Sequence, residues 1–224
     1  MKGIFITGTD TNVGKTWVSQ QVIQLLVSQG LNVIPRKPVE SGWTEEAKTD
    51  AFLLAKAANK LESLEQVCPN RFKLPISPDR AAVLEGKTVK LDTIKNQCLT
   101  PINSENNNDD FLWIEGAGGF YSPLCSDGLN ADLAVLVNLP LLLVVEDRLG
   151  CINQTLLTIE AIEKRQLRLA AIVLNKVNQA EIEGMDNAQD LKKLTHYPVV
   201  SVGNKQQPKE PFAKIIALFH RLKN

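Results

Sequence analysis

This 224-residue chain has little cysteine or histidine, no surplus of either charge, and no apolar run long enough to cross a bilayer. Cys68, Cys98, Cys125 and Cys151 are scattered and include no Cys-x-x-Cys pair. Disulfide and metal frameworks use close, patterned spacing, so free thiols in a reducing compartment are expected. Lys plus Arg number 25, as do Asp plus Glu. The resulting zero net charge leaves no overall field to attract nucleic acid or an anionic membrane as the main partner. The one basic cluster, His220-Arg221-Leu222-Lys223-Asn224, reads as a solvated helix terminus. The most apolar stretch, 133–145, is interrupted by Asn138 and Pro140 and falls short of the ~20 residues that a membrane helix needs. A strand pattern starting almost at Met1, with no leader pattern ahead of it, makes the expected location cytoplasmic. Repeats and linkers are lacking too, and 1–224 reads as a single domain with a substantial core.

What the chain does contain is an alternation. Apolar runs rich in β-branched residues predict strands over 3–7, 31–35, 111–115, 141–146, 170–175 and 199–202. Helical stripes are predicted over 15–29, 50–58, 81–85, 91–99, 151–165 and 188–194, with a last amphipathic helix over 211–222. Strand and helix in turn specify an α/β fold, a parallel sheet with helices on both faces. Continuously apolar Leu141-Leu142-Leu143-Val144-Val145 suits a central strand covered on both sides. Residues 66–78, with three prolines, read as irregular chain near one edge, and 103–110 as a polar surface loop without assignable chemistry. Ligands of such sheets gather at the carboxyl ends of the strands, so the residues following each strand carry the functional reading.

After the first strand comes Gly8-Thr9-Asp10-Thr11-Asn12-Val13-Gly14-Lys15-Thr16. In a strand–turn–helix setting, successive N–H groups of such a loop converge on phosphate oxygens, and the helix dipole adds positive charge. Lys15 would reach the terminal phosphates, and the Thr16 hydroxyl could take one position around Mg²⁺. The usual spacing wants glycine at Thr9, and Gly8 stands one residue earlier. A plain helix-capping turn is the alternative. The stripe Val18, Val22, Leu25 and Leu26 that follows favours the phosphate loop.

After the second strand, Lys37 precedes Pro38, Ser41 and Gly42 and could project over the phosphates, although most lysines at strand ends are simply solvated. Asp50 opens a helix, where a cap and a metal-linked carboxylate are both reasonable. Glu115-Gly116-Ala117-Gly118-Gly119 ends an apolar strand in an acid, where phosphate-loop enzymes keep a second Mg²⁺-linked carboxylate; its glycines permit close backbone approach. Gly150-Cys151-Ile152-Asn153 starts a helix whose N–H groups could take a carboxylate, although an ordinary junction explains it equally well. Asn175-Lys176-Val177-Asn178 lacks the final Asp by which GTPases select guanine; an asparagine can pair with the N6/N7 edge of adenine. His196 and His220 lie outside this constellation.

In order, the loop 8–16, Lys37-Pro38-Val39-x-Ser41-Gly42, Glu115-Gly116-Ala117-Gly118-Gly119, Leu149-Gly150-Cys151-Ile152-Asn153 and Asn175 resemble dethiobiotin synthetase, whose phosphate loop also carries the extra residue. The resemblance implies a ligase of biotin synthesis. Such an enzyme carboxylates 7,8-diaminononanoate with CO₂ and closes a cyclic urea at the expense of ATP, through a carbamate and a carbamic-phosphoric anhydride. It implies Lys15, Lys37 and Thr11 as catalytic residues, with Thr11 and Ser41 positioning the reacting end. ATP would lie against Asn12, Val13, Gly14, Lys15, Thr16, Asp50, Glu115, Gly116, Gly118, Asn175, Gly203 and Asn204, and Mg²⁺ among Thr16, Asp50 and Glu115. A homodimer is implied, with Gly150, Cys151, Ile152 and Asn153 of one subunit receiving the carboxylate of substrate bound mainly by the other. Asn12 stands where the family often has glutamate, Arg148 where it has lysine, and the loop after Gly203 lacks a familiar hallmark. The rival classes fit less well. A partition-type ATPase would carry a lysine at the Asp10 position, and an amidating synthetase of cobalamin formation would need a further glutamine-hydrolysing domain.

Overall fold

The computed structural model describes residues 2–59, 63–100, 110–177, 182–203 and 210–221. From the N-terminal side, β1 (Lys2–Gly8) leads into α1 (Lys15–Ser28) and β2 (Asn32–Arg36). Short elements follow: β3 (Val39–Ser41), α2 (Asp50–Ala57), α3 (Leu64–Val67) and β4 (Asn70–Phe72). Next come α4 (Pro78–Leu84), α5 (Leu91–Leu99), β5 (Asp110–Glu115), the hairpin β6 (Pro123–Cys125) and β7 (Gly128–Leu129), and α6 (Asn130–Val137). The last described elements are β8 (Leu141–Glu146), α7 (Cys151–Lys164), β9 (Leu169–Lys176), α8 (Asn187–Leu194), β10 (Val199–Gly203) and α9 (Glu210–Arg221).

Six strands pair in parallel in the order β10-β9-β8-β1-β5-β2. The alternation of their side chains divides the core in two. Ile4 and Ile6 of β1, Phe111 and Trp113 of β5, and Leu142 and Val144 of β8 pack beneath α1 and α9. Phe5, Leu112, Ile114, Leu143 and Val145 face the opposite layer, with Leu133 of α6 and Ile159 and Ile162 of α7. With helices on both faces, β5 and β8 are continuously apolar over 111–114 and 141–145. Burying each such side chain stabilises the fold by about 1.5–3 kcal/mol. Pro35 is tolerated because β2 is an edge strand, paired only to β5.

The predicted strands of the main sheet all form, within one or two residues of the expected bounds. Two regions differ from expectation. The apolar stretch 133–145 is divided between a helix the periodicity did not reveal, α6, and the strand β8; Asn138, left-handed at φ 48°, ends the helix. Residues 66–78 are not wholly irregular, because β4 pairs in parallel with β3, Val39 opposite Asn70. Residues 103–109 of the polar loop lie outside the described residues; Asp110 belongs to β5. Among the described residues no helix is long and apolar enough to cross a membrane.

The chain goes from β1 to the far edge at β2, returns to β5, and then builds outward on the other side of β1. This reversal opens a crevice beyond the carboxyl ends of β1, β5 and β8, where an α/β sheet receives ligands.

Candidate active site

Residues 8–16 bridge β1 and α1 at that crevice. Gly14 caps α1 in the left-handed conformation, φ 85°. A Cβ on Gly14 would lie 2.1 Å from Asn175 Nδ2, so both conformation and space demand glycine there. The loop is braced from two strands, β8 and β9, and from the turn after β5. Thr9 N donates to Val144 O (3.1 Å), Phe120 N to Gly8 O (2.9 Å) and Asn175 Nδ2 to Val13 O (3.0 Å). Asn12 is itself left-handed, φ 60°, a conformation that asparagine adopts more readily than glutamate.

Glu115, wholly buried at the end of β5, is the hub of the site. Its Oε1 accepts from Thr16 Oγ1 (2.8 Å) and Lys37 Nζ (2.8 Å), and its Oε2 from Ser19 Oγ (2.6 Å). Lys37 Nζ also contacts Asp50 Oδ2 at 2.7 Å and donates to Gly116 O at 3.2 Å. The fold thus brings Lys15, Thr16, Lys37, Asp50 and Glu115 to one place.

Burial acts against the charge of Lys37, but Asp50, Glu115 and Glu40 outweigh it and hold the ammonium well above the usual lysine range. Burial likewise acts upward on Asp50. The Lys37 charge, with hydrogen bonds from Lys37 and Thr16, carries that carboxyl below its ordinary value. Among the described residues Lys15 has no such carboxylate bond; its Nζ donates to the Asp10 carbonyl at 3.0 Å. Burial, then the like charge of Lys37, lower its pKa to about 8 against weaker pulls from Glu115, Asp50 and Asp10.

At the start of α2 the backbone N–H groups find partners other than the Asp50 side chain. Thr49 caps α2, its side chain accepting from Phe52 N at 3.3 Å, and Glu40 accepts from the N–H groups of Asp50 (2.7 Å) and Ala51 (3.1 Å). With the helix start satisfied by those two side chains, the Asp50 carboxylate is available to Lys37. Burial, then the Asp50 charge, raise the pKa of Glu40.

The glycine-rich turn after β5 is pinned by Asn130, a fully buried residue at the start of α6. Asn130 Nδ2 donates to the carbonyls of Ala117, Gly119 (3.2 Å) and Ser122 (3.4 Å), and Oδ1 accepts from Ala117 N (3.0 Å). A Cβ on Gly116 would come within 2.7 Å of Asn130 Oδ1, and one on Gly118, at φ 75°, within 2.6 Å of Ser122 Oγ. Beside this turn lies a cleft of about 580 Å³, lined by Thr9, Asp10, Phe120, Tyr121, Gln154 and Leu157 among others.

The remaining expected residues stand around the cluster. Thr11 is exposed on the loop, its N–H donating to Asp10 Oδ1 at 2.7 Å. Ser41 closes β3, half-buried. Gly150 caps α7 at φ 87°; Cys151 is buried, Ile152 half-buried and Asn153 exposed. Gly203 ends β10, with Lys176 Cβ only 2.4 Å from where its own Cβ would be. Asn178 and Asn204 lie outside the described residues. Arg148 pairs with Glu146 (3.3 Å) and donates to Gln154 Oε1 (3.1 Å), two partners that suit a planar fork.

Sequence reasoning passed over Ser19, Glu40 and Asn130. Ser19 left a faint signal, a polar residue three positions after Thr16 and therefore on the same helix face. Glu40 and Asn130 left none, because their partners are backbone groups remote in sequence.

Two carboxylates and a hydroxyl are hard oxygen donors suited to Mg²⁺. The Lys37 ammonium between Glu115 and Asp50 marks the spot as one that accepts a cation. Among the described residues no group of three or more His, Cys, Asp or Glu converges.

Comparison with known proteins agrees with this geometry. A family profile described as an AAA domain matches residues 2–205. The ATP-dependent dethiobiotin synthetase BioD of Vesicomyosocius okutanii is 38% identical over 198 residues, covering 84% of this chain and 88% of the relative. The protein of that name from Anaeromyxobacter sp. strain Fw109-5 is 38% identical over 206 residues, covering 88% and 91%. In fold, the chain is similar to MinD in the MinC:MinD cell division complex of Aquifex aeolicus, with TM-score 0.59, 14% identity and coverage of 100% and 96%. The Pyrococcus furiosus cell division ATPase MinD gives TM-score 0.57 at 16% identity, covering 99% and 100%. Those two likenesses establish the P-loop fold alone. Identity and coverage against the curated relatives go further, and the chain belongs to the ATP-dependent dethiobiotin synthetase family.

Proposed function

We propose that residues 1–224 act as one domain that joins CO₂ to 7,8-diaminononanoate and closes it to dethiobiotin, converting ATP to ADP and phosphate. The observation that carries this reading is Lys37 Nζ held between Glu115 and Asp50, beside Thr16 and Lys15, over a phosphate loop. One substrate amine captures CO₂ as a carbamate and loses a proton. A carbamate oxygen then attacks the γ-phosphorus of ATP, and ADP leaves. The second amine attacks the carbonyl of this mixed anhydride and gives up a proton, the C–O bond breaks with phosphate leaving, and the cyclic urea is formed.

Anionic carbamate must approach anionic triphosphate, so the protein's part is positioning and charge neutralisation. Lys15 lies along the phosphates and Lys37 on the carbamate, while Thr11 and Ser41 hold the reacting end. Backbone N–H groups of residues 12–16, with Gly116 and Gly118 opposite, cradle the phosphates. Asn175, Gly203 and Asn204 take the adenine. Thr16, Asp50 and Glu115 are the residues that would hold Mg²⁺. When bound, the metal would supply positive charge that offsets the negative charge gathered in the reaction.

A homodimer completes the site, the helix start 150–153 of one subunit meeting the carboxylate of substrate held by the other. Exposed Leu149 and Leu157 on that side support such an interface, and the reaction is placed in the cytoplasm. The test is turnover with each substrate omitted in turn. ADP release is expected to require both the diamine and CO₂ or bicarbonate, with dethiobiotin seen by mass spectrometry. Basal hydrolysis without any cyclic urea would instead place the chain among nucleotide switches.

A further inference from the structure

Three hydroxyl or ammonium donors hold the buried Glu115 carboxylate: Thr16 and Lys37 on Oε1, Ser19 on Oε2. They are not equivalent. In the reaction proposed above, on which this inference rests, Thr16 is drawn to the metal and Lys37 to the carbamate. Both therefore have duties that compete with Glu115. Ser19 has none. It is a fully buried residue of α1, with no exposure through which to meet a ligand.

We infer that Ser19 is a positioning residue that fixes which oxygen of Glu115 is presented to the metal. A carboxylate turns about its last torsion in a broad, nearly two-fold well, so geometry at Oε1 depends on what restrains Oε2. The 2.6 Å bond from Ser19 Oγ supplies that restraint, and Ser19 lies one turn along α1 from Thr16, the hydroxyl donor of the metal set. Helix, hydroxyl and carboxylate thus form one rigid unit that keeps its shape while Lys37 changes partner. Removing an outer hydrogen bond to a ligating carboxylate commonly weakens metal binding by roughly 10–100-fold.

The test is Mn²⁺ affinity for the full-length protein with ADP bound, followed by electron paramagnetic resonance, alongside ATP affinity in EDTA. Ser19→Ala is expected to weaken Mn²⁺ at least about tenfold and leave metal-free ATP binding at the wild-type value. Ser19→Thr and Ser19→Val differ only in a hydroxyl at nearly constant volume. Thr is expected to restore Mn²⁺ affinity and Val to resemble Ala, a contrast that stands even if the alanine variant folds poorly. Glu115→Gln serves as the reference. If Glu115→Gln weakens Mn²⁺ while Ala and Val at position 19 do not, the role given to Ser19 is overturned and the metal role of Glu115 is kept. If Glu115→Gln leaves Mn²⁺ binding unchanged, the metal reading itself fails. Loss of metal-free ATP binding by the same factor in Ser19→Ala would reduce Ser19 to a packing residue and overturn the inference.

Discussion

Lys15 and Lys37 are buried to nearly the same degree, 6% and 3% exposed, near the same glutamate, yet their surroundings press them in opposite directions. Lys37 is gripped by two carboxylates and keeps its proton more firmly than a lysine in water. Among the described residues Lys15 has only a backbone carbonyl for a hydrogen-bond partner, and burial brings its pKa down to about 8. Burial alone therefore does not determine a charge; the partners it is buried with do. Lys37 has its counterions inside the protein, whereas Lys15 is left to find one in an incoming phosphate.

The most severe way to break this contrast is Lys37→Met, which leaves Asp50 and Glu115 facing one another without a cation. Turnover is expected to fall at least about 10²–10³-fold, and stability by about 3–5 kcal/mol. Equilibrium binding of ATP should be spared. Turnover near wild type would remove Lys37 from the chemistry.

Lys15→Met is the matched counterpart. Losing a charge-assisted contact to phosphate should weaken ATP by roughly 10–100-fold. Stability at pH 7 should rise, because a desolvated ammonium without a carboxylate is replaced by an apolar chain of similar shape. Denaturant titrations moving in opposite directions for the two methionine variants would verify the comparison; parallel losses would refute it.

The third effect is one of pH. Phosphate favours protonated Lys15, which loses its proton near pH 8 in the free protein. ATP affinity should be level below that pH and fall by at most about tenfold per unit above it. Stability carries the reverse sign. The unfolded chain keeps the Lys15 proton up to its ordinary value of 10.5, so between about 8 and 10.5 the unfolded state binds more protons and this group's contribution rises with pH. Both slopes should disappear in Lys15→Met. The smallest change is expected for Asp10→Asn, since Lys15 leans on the Asp10 carbonyl and not its exposed carboxylate. ATP affinity should move by less than about fivefold, and a larger drop would mean that Asp10 is a true counterion.

Much of this molecule is readable from local pattern. The strands of the main sheet are apolar and β-branched, and their bounds follow from that alone. Residues 8–16 and Glu115 are conspicuous because each stands directly after such a strand. The helix α6 was hidden because 133–145 is apolar almost throughout, and buried helix and buried strand look alike there. The pairing of β3 with β4 joins two three-residue segments across some thirty positions, a length too short for any periodicity. Lys37 and Asp50 were ambiguous as single residues, each with an ordinary explanation.

What the sequence determined by itself is the layered α/β fold and the phosphate loop, since both arise from contacts between near neighbours and from the burial of continuous apolar runs. The resemblance of its motifs added the family. Only the tertiary structure decided that Lys37, Asp50, Glu115 and Ser19 form one hydrogen-bonded group, because β2 and β5 become adjacent only when a strand late in the chain inserts beside an early one. Charges separated by 78 residues of chain, as in Lys37 and Glu115, have no influence on one another until the sheet brings them within hydrogen-bond reach.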